Sequence, residues 1–173
     1  AMNIPIYECQ GWEADDIIGT IGKICGNNNW ECVIVTGDRD SLQLVNDKTK
    51  VLLSVSTRSG SDSVSYGIKQ VEDKYGVTPE QLIDVKAIMG DSSDNVPGVA
   101  GIGEKGASAL IAKFGSLEKV YENLNDPSIK PAQRAKLEAG RESAFLSREL
   151  VTIKTDMDID VSIEDLRIQS YNE

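Results

Sequence analysis

The most β-branched stretch of the chain, Cys32-Val33-Ile34-Val35-Thr36, is preceded by a helix-period pattern and followed by Gly37-Asp38-Arg39-Asp40. A short apolar run of this kind suits a strand buried on both faces, as in a parallel sheet covered by helices. The helix before it places Ile17, Ile18, Ile21, Ile24 and Cys25 on one face. Gly19 and Gly22 inside that helix each cost up to ~1 kcal/mol against alanine, which close packing against a neighbour would offset. Ile4 to Cys9 and Val51 to Val55 are two further strand candidates, and Arg58 to Ser63 reads as a polar loop. Residues 1–67 therefore predict an α/β unit with a parallel sheet.

From Ile68 the pattern turns helical and stays so, predicting a second lobe over residues 68–155. Thr78-Pro79-Glu80-Gln81 opens a helix that Gly90 closes, and Ser116–Leu124, Pro131–Ala139 and Glu142–Leu150 follow as short helices. The segment 156–173 begins with the alternation Asp156-Met157-Asp158-Ile159-Asp160-Val161, which predicts an extended edge segment. With 173 residues and 40% hydrophobic, the chain can bury one core plus a small satellite. No window approaches the roughly 18 apolar residues of a membrane span, and the first residues lack a leader's layout. Cys9, Cys25 and Cys32 are odd in number and never spaced Cys-x-x-Cys, which predicts reduced core thiols and a cytoplasmic protein.

The chain has no histidine. That excludes Ser-His-Asp and Cys-His triads, His-ligated zinc and two-His iron sites, leaving carboxylates, lysines or a bound metal to do any chemistry. A net charge of −10 argues against a nucleic-acid partner as a sum, but residues 104–154 carry 9 bases against 7 acids. Charge alone fits a solvated surface equally well.

Three acidic clusters stand out. Glu13-Ala14-Asp15-Asp16 opens the first helix, Asp38 and Asp40 follow the apolar strand, and Asp91 and Asp94 sit in Gly90-Asp91-Ser92-Ser93-Asp94-Asn95. Each has an ordinary explanation: acids favour helix N-termini, and Asp, Ser and Asn cap turns. Together, at turns and strand ends of a chain without histidine, they suit hard divalent cations, Mg²⁺ or Mn²⁺, and phosphodiester chemistry on two such ions. Beside the third cluster, Val96 to Ala107 reads as a helix-hairpin-helix. Gly101 and Gly103 flank Ile102 and would let the backbone approach a phosphate, Gly106 follows Lys105, and that lysine adds charge at the next helix's start. Such a clamp grips DNA without reading bases.

Glu13-Ala14-Asp15-Asp16-Ile17-Ile18-Gly19-Thr20, Thr36-Gly37-Asp38-Arg39-Asp40, and Gly90-Asp91-Ser92-Ser93-Asp94-Asn95-Val96-Pro97-Gly98-Val99 with Gly101-Ile102-Gly103-Glu104-Lys105 resemble the 5′-3′ exonuclease domain of bacterial DNA polymerase I, in the flap endonuclease superfamily. The resemblance runs from about Ile4 to Val161. It implies a PIN-like α/β core with a helix-three-turn-helix lobe, and metal-dependent hydrolysis near the 5′ end of branched DNA in replication and repair. Glu13 and Asp15 would then ligate a first catalytic metal, and Asp16, Asp38, Asp40, Asp91 and Asp94 a second. Hairpin carbonyls would hold K⁺, and Gly101, Ile102, Gly103, Lys105 and Gly106 would bind DNA. Gly106 departs from the family's threonine. The resemblance further implies an N-terminal stretch with the first strand and an arch, and polymerase domains downstream. The chain would thus be the carboxyl-side part, with an incomplete sheet and weak activity of its own. Two other readings remain: a module that holds DNA without cutting it, and a phosphotransferase using Asp38 and Asp40.

Overall fold

The computed structural model describes residues 4–57 and 60–167. Helix α1, Ala14–Asn27, leads into strand β1, Cys32–Thr36, and a 3₁₀ turn, Asp40–Leu44. Strands β2, Thr49–Thr57, and β3, Gly60–Tyr66, complete a sheet of order β1-β2-β3. β1 and β2 run parallel, with Ile34 opposite Val51, whereas β2 and β3 are antiparallel, with Leu53 opposite Val64. The sheet is therefore mixed rather than parallel. Gly60 to Ser63, expected in a loop, belong to β3, and Arg58 and Ser59 lie outside the described residues.

Two expectations about the first part fail, and in both places no layer among the described residues covers the apolar side chains. Ile4 to Cys9 form no strand, and Ile4 and Ile6 are 65% and 84% exposed. β1 buries Ile34, but Val33 and Val35 on its other face are 60% and 67% exposed. The core lies on the covered side, where Ile34, Leu42, Val45, Val51, Leu53 and Tyr66 pack with Val71 of helix α2, Ile68–Tyr75. Of the thiols only Cys25 is buried, Cys9 and Cys32 being half-buried.

The helical part follows its predicted punctuation closely. Helix α3, Gln81–Met89, opens on a reciprocal cap in which Thr78 Oγ1 accepts the Gln81 amide (3.4 Å) and Gln81 Oε1 accepts the Thr78 amide (2.9 Å). Then come α4 (Glu104–Phe114), α5 (Leu117–Glu122, capped by Ser116), α6 (Pro131–Ala139) and α7 (Arg141–Val151). Their buried faces form a second core around Ile88, Ile111, Leu117, Val120 and Leu137.

Residues 152–161 form no sheet edge; they strap across α1 instead. Gln43 clamps the strap's start, donating to the Val151 carbonyl (2.9 Å) and accepting the Ile153 amide (3.0 Å). The Lys154 amide donates to Asp16 Oδ1 (2.8 Å), and the Met157 amide to Thr20 Oγ1 (3.3 Å). Gly19 is the contact that lets the strap lie down. A Cβ there would stand 2.9 Å from both Ile153 Cγ2 and the Lys154 carbonyl oxygen, whereas one at Gly22 meets nothing nearer than 4.0 Å. Close packing thus accounts for Gly19 and not for Gly22. Gly19→Ala is expected to lower stability by about 1–3 kcal/mol and Gly22→Ala to leave it equal or higher. Thermal melts of the two variants check this, and equal melting temperatures would remove the strap from the explanation.

Candidate metal centre and nucleic-acid interface

Three elements end at one place. After β1, Thr36 Oγ1 accepts the Asp38 amide (3.0 Å) and Asp38 Oδ1 accepts the Asp40 amide (2.8 Å), a turn that occupies one Asp38 oxygen. The first turn of α1 carries Asp15 and Asp16, with Glu13 just ahead of it. The loop after α3 closes on itself: Asp91 and Val96 exchange amide-to-carbonyl bonds at 2.9 and 2.7 Å, which holds Asp94 at its tip. Glu13, Asp15, Asp16, Asp38, Asp40 and Asp94 line a single open cleft of about 600 Å³. Asp91 lines the adjoining cavity, which it shares with Asp40.

Crowding shows in the carboxyl groups. Burial, then the charges of Asp38, Asp40, Glu13 and Asp16, pushes the Asp15 carboxyl above its ordinary range. Asp40 is likewise raised by burial, with Asp38 and Asp94 adding to it, even though it bonds a lysine. Asp91 goes the other way, held below the usual range by the Ser93 hydroxyl and by the same lysine.

That lysine, Lys86 of α3, was not among the residues the sequence singled out. Its ammonium bonds Asp40 and lies 2.9 Å from Asp91 Oδ2 and 3.6 Å from Asp94 Oδ2. Burial works against the charge, yet the bonds to Asp40 and Asp91 outweigh it and hold the ammonium firmly protonated. Its one sequence signal is position: it is the only base in α3 and sits about a turn before Asp91. Glu149 and Lys154 also line the acidic cleft and were likewise missed. Asp16 differs from its neighbours. One oxygen accepts the Lys154 amide and the other the Glu13 amide (3.4 Å), so this carboxylate pins the strap and caps α1.

Among the described residues no group of three or more acids is placed to hold one ion as it stands. The donor set nevertheless fits a hard divalent cation. It offers only carboxylate oxygens, they crowd one cleft, and an ammonium already sits among three of them.

The hairpin stands beside this cleft. α3 and α4 flank it, the Ile102 amide bonds the Val99 carbonyl (3.1 Å), and Gly103 precedes α4. Gly103, Glu104 and Lys105 are exposed, and the first amides of α4 have no carbonyl within the helix to accept them. A Cβ at Gly106 would come within 3.2 Å of Ile102 Cγ2, so a side chain there would press on the hairpin. Lys136 of α6, unforeseen from sequence, reaches the hairpin and donates to the Gly101 carbonyl (2.9 Å).

Comparison with known proteins bears on both parts. Residues 1–76 match the model of a 5′-3′ exonuclease N-terminal resolvase-like domain, and residues 77–173 that of a 5′-3′ exonuclease C-terminal SAM fold. DNA polymerase I of Caldicellulosiruptor bescii is 48% identical over 173 residues, which is 99% of this chain and 20% of that protein. DNA polymerase I of Bacillus subtilis is 46% identical over 173 residues, 99% of this chain and 19% of that protein. The chain thus spans about a fifth of the length of these relatives. Among solved structures, T5 5′-exonuclease with bound divalent zinc superposes with a TM-score of 0.72 at 32% identity, covering 85% of this chain and 52% of that one. A T5 flap endonuclease in a pseudo-enzyme-product complex with DNA and metal ions gives 0.71 at 31%, covering 84% and 51%.

Proposed function

The chain belongs to the 5′-3′ exonuclease family, and from that premise we propose that it is part of a divalent-metal-dependent 5′ nuclease acting near the 5′ end of branched DNA. Its fold is the family's: a PIN-like α/β core, here with a three-stranded sheet, carrying a helical lobe with the hairpin. The observation that carries the proposal is the convergence of six carboxylates from three elements on one cleft, beside the exposed start of α4.

Glu13, Asp15, Asp38, Asp40, Asp91 and Asp94 would hold Mg²⁺ or Mn²⁺, with Asp16 contributing chiefly by fixing the strap. Such ions supply Lewis-acid stabilisation of a phosphodiester's developing charge. The chain's own residues position the strand. The hairpin amides at Gly103 to Lys105 and the Lys105 ammonium hold a backbone phosphate, and Lys136 adds charge alongside. Hairpin carbonyls would hold K⁺, and those of Gly98 and Gly101 each already accept one hydrogen bond, from Ser143 and Lys136. The α/β part, 1–67, would bring two acidic clusters and the lobe 68–155 the third and the hairpin, while 156–173 would form a C-terminal segment whose described residues 156–161 continue the strap. The reading includes a cytoplasmic setting and partnership with further nuclease and polymerase domains, which the likeness to DNA polymerase I supports. Among the described residues no helix is long and apolar enough to cross a membrane.

Cleavage of a labelled 5′-flap duplex by the purified chain tests the proposal. Slow, Mn²⁺-dependent release of the flap, abolished by chelator, is expected. Flap binding with no cleavage in Mn²⁺ would favour the DNA-holding module, and covalent trapping of phosphate on Asp38 a phosphotransferase. For the clamp, Lys105→Ala is expected to weaken binding of every flap sequence alike and to reduce the salt slope by roughly 1. A sequence-selective loss would refute the clamp role.

A further inference from the structure

The acidic cleft carries a cation of the chain's own, and its seat sets a condition on metal loading that rests on the metal reading above. Lys86 has a side chain only 13% exposed, and its ammonium bonds Asp40 while facing Asp91 Oδ2 at 2.9 Å and Asp94 Oδ2 at 3.6 Å. These are three of the five carboxylates assigned by resemblance to one ion. Each of the three faces the ammonium through Oδ2, and Asp91 Oδ1 already accepts from Ser93, so a divalent ion drawing in the same oxygens competes with the ammonium for them. Divalent ions of this class draw oxygens to roughly 2.0–2.2 Å and keep their geometry, and two cations within about 4 Å in a half-buried site repel strongly.

We propose that Lys86 is the resident counter-ion of Asp40, Asp91 and Asp94, and that a divalent ion takes these carboxylates only by displacing its ammonium. While seated, Lys86 ties Asp40, from the sheet side, to the two acids of the helical lobe. Once displaced, its flexible stem has room to turn, because the cavity of about 210 Å³ that Lys86 shares with Asp40 also has Glu104 on its wall. Glu104 is the first residue of α4, next to Lys105, so the released charge would move toward the hairpin. Glu13, Asp15 and Asp38 have no ion pair among the described residues. They form the easier site, and the Lys86 side of the cleft fills second. Lys86 is in this sense a positioning residue that acts through the ligands.

The test uses the purified chain with Mn²⁺ as the probe, bound ions being counted by the paramagnetic resonance of the free ion and the fold followed by melting in chelator. Lys86→Met is expected to bind the weaker Mn²⁺ roughly 10-fold tighter or more, and to melt lower than the parent in chelator. Lys86→Arg, which keeps the charge, should bind Mn²⁺ like the parent. Lys86→Gln carries the same expectation as the methionine variant and decides the matter where that one does not fold. Equal Mn²⁺ binding by parent and neutral variants overturns the proposal and leaves the metal reading standing. Weaker binding by the neutral variants also overturns it, because Lys86 would then support the ligands rather than compete for them. Mn²⁺ bound by none of the proteins overturns both readings.

Discussion

Gly98→Ala is expected to lower the melting temperature by roughly 6–12 °C, equivalent to about 3 kcal/mol, and to weaken DNA binding with it. Gly98 has φ +60°, where a side chain is strained, and its Cβ would fall 2.3 Å from the Gly90 amide nitrogen and 2.6 Å from Gly90 Cα. Those are backbone atoms at the end of α3, which cannot give way as a flexible side chain would. The peptide groups of Gly98 are also fixed from the other side. Its amide donates to Ser147 Oγ (2.9 Å) and its carbonyl accepts the Ser143 hydroxyl (2.7 Å), two serines one turn apart on α7. Any shift that relieves the methyl therefore breaks a bond at a site where Ser147 is fully buried. Gly37→Ala is the control, because a Cβ there meets nothing within 4 Å and φ is ordinary. Melts of the two variants by calorimetry decide it: a Gly98→Ala protein as stable as Gly37→Ala would mean that the hairpin is not held against α3 and α7 as described.

What could be read from the sequence follows from how far apart the deciding contacts lie. The helices of the second lobe are legible because their caps are local: Thr78 with Gln81, Ser116 with Lys119, and Pro131 at the first position of α6. The acidic clusters are legible for the same reason, since each sits at the end of an element that announces itself. β3 is not, because Gly60 to Ser63 is polar and becomes strand only by pairing with β2. The alternation at Asp156 to Val161 predicts an extended segment correctly but cannot say that Met157 is buried against α1 rather than in the sheet; its amide bonds Thr20, 137 positions away. Asp15 and Asp16 read alike in sequence and differ in the fold, because the strap arriving from 138 positions later takes Asp16 and leaves Asp15 to the cleft. Lys86 is faint for a like reason: its place before Asp91 is local, but the partner it bonds, Asp40, lies 46 positions away.

Asp38→Asn should separate a metal ligand from a turn former, and the two roles leave opposite traces. As a turn former Asp38 needs only one oxygen to accept the Asp40 amide, and asparagine supplies it equally well. Its charge matters elsewhere, because it helps push the Asp15 and Asp40 carboxyls above the ordinary 3.8. A raised carboxyl lowers stability wherever the unfolded chain would already have ionised: the penalty is absent below the unfolded value, grows as pH rises from there towards the folded one, and is complete above it. Removing Asp38's charge should therefore raise the melting temperature in chelator at pH 7, equivalent to about 0.5–1 kcal/mol for so exposed a group, and by less as pH falls into and below the ordinary carboxylate range, where the penalty fades. With Mn²⁺ the order reverses. An ion at about 100 times its dissociation constant stabilises the parent by roughly 2.7 kcal/mol, and losing a charged oxygen ligand should remove most of that. The variant is thus expected to melt above the parent in chelator and below it in millimolar Mn²⁺. Two proteins that respond alike to Mn²⁺ would take Asp38 out of the metal site and leave it the turn residue that its hydrogen bond already makes it.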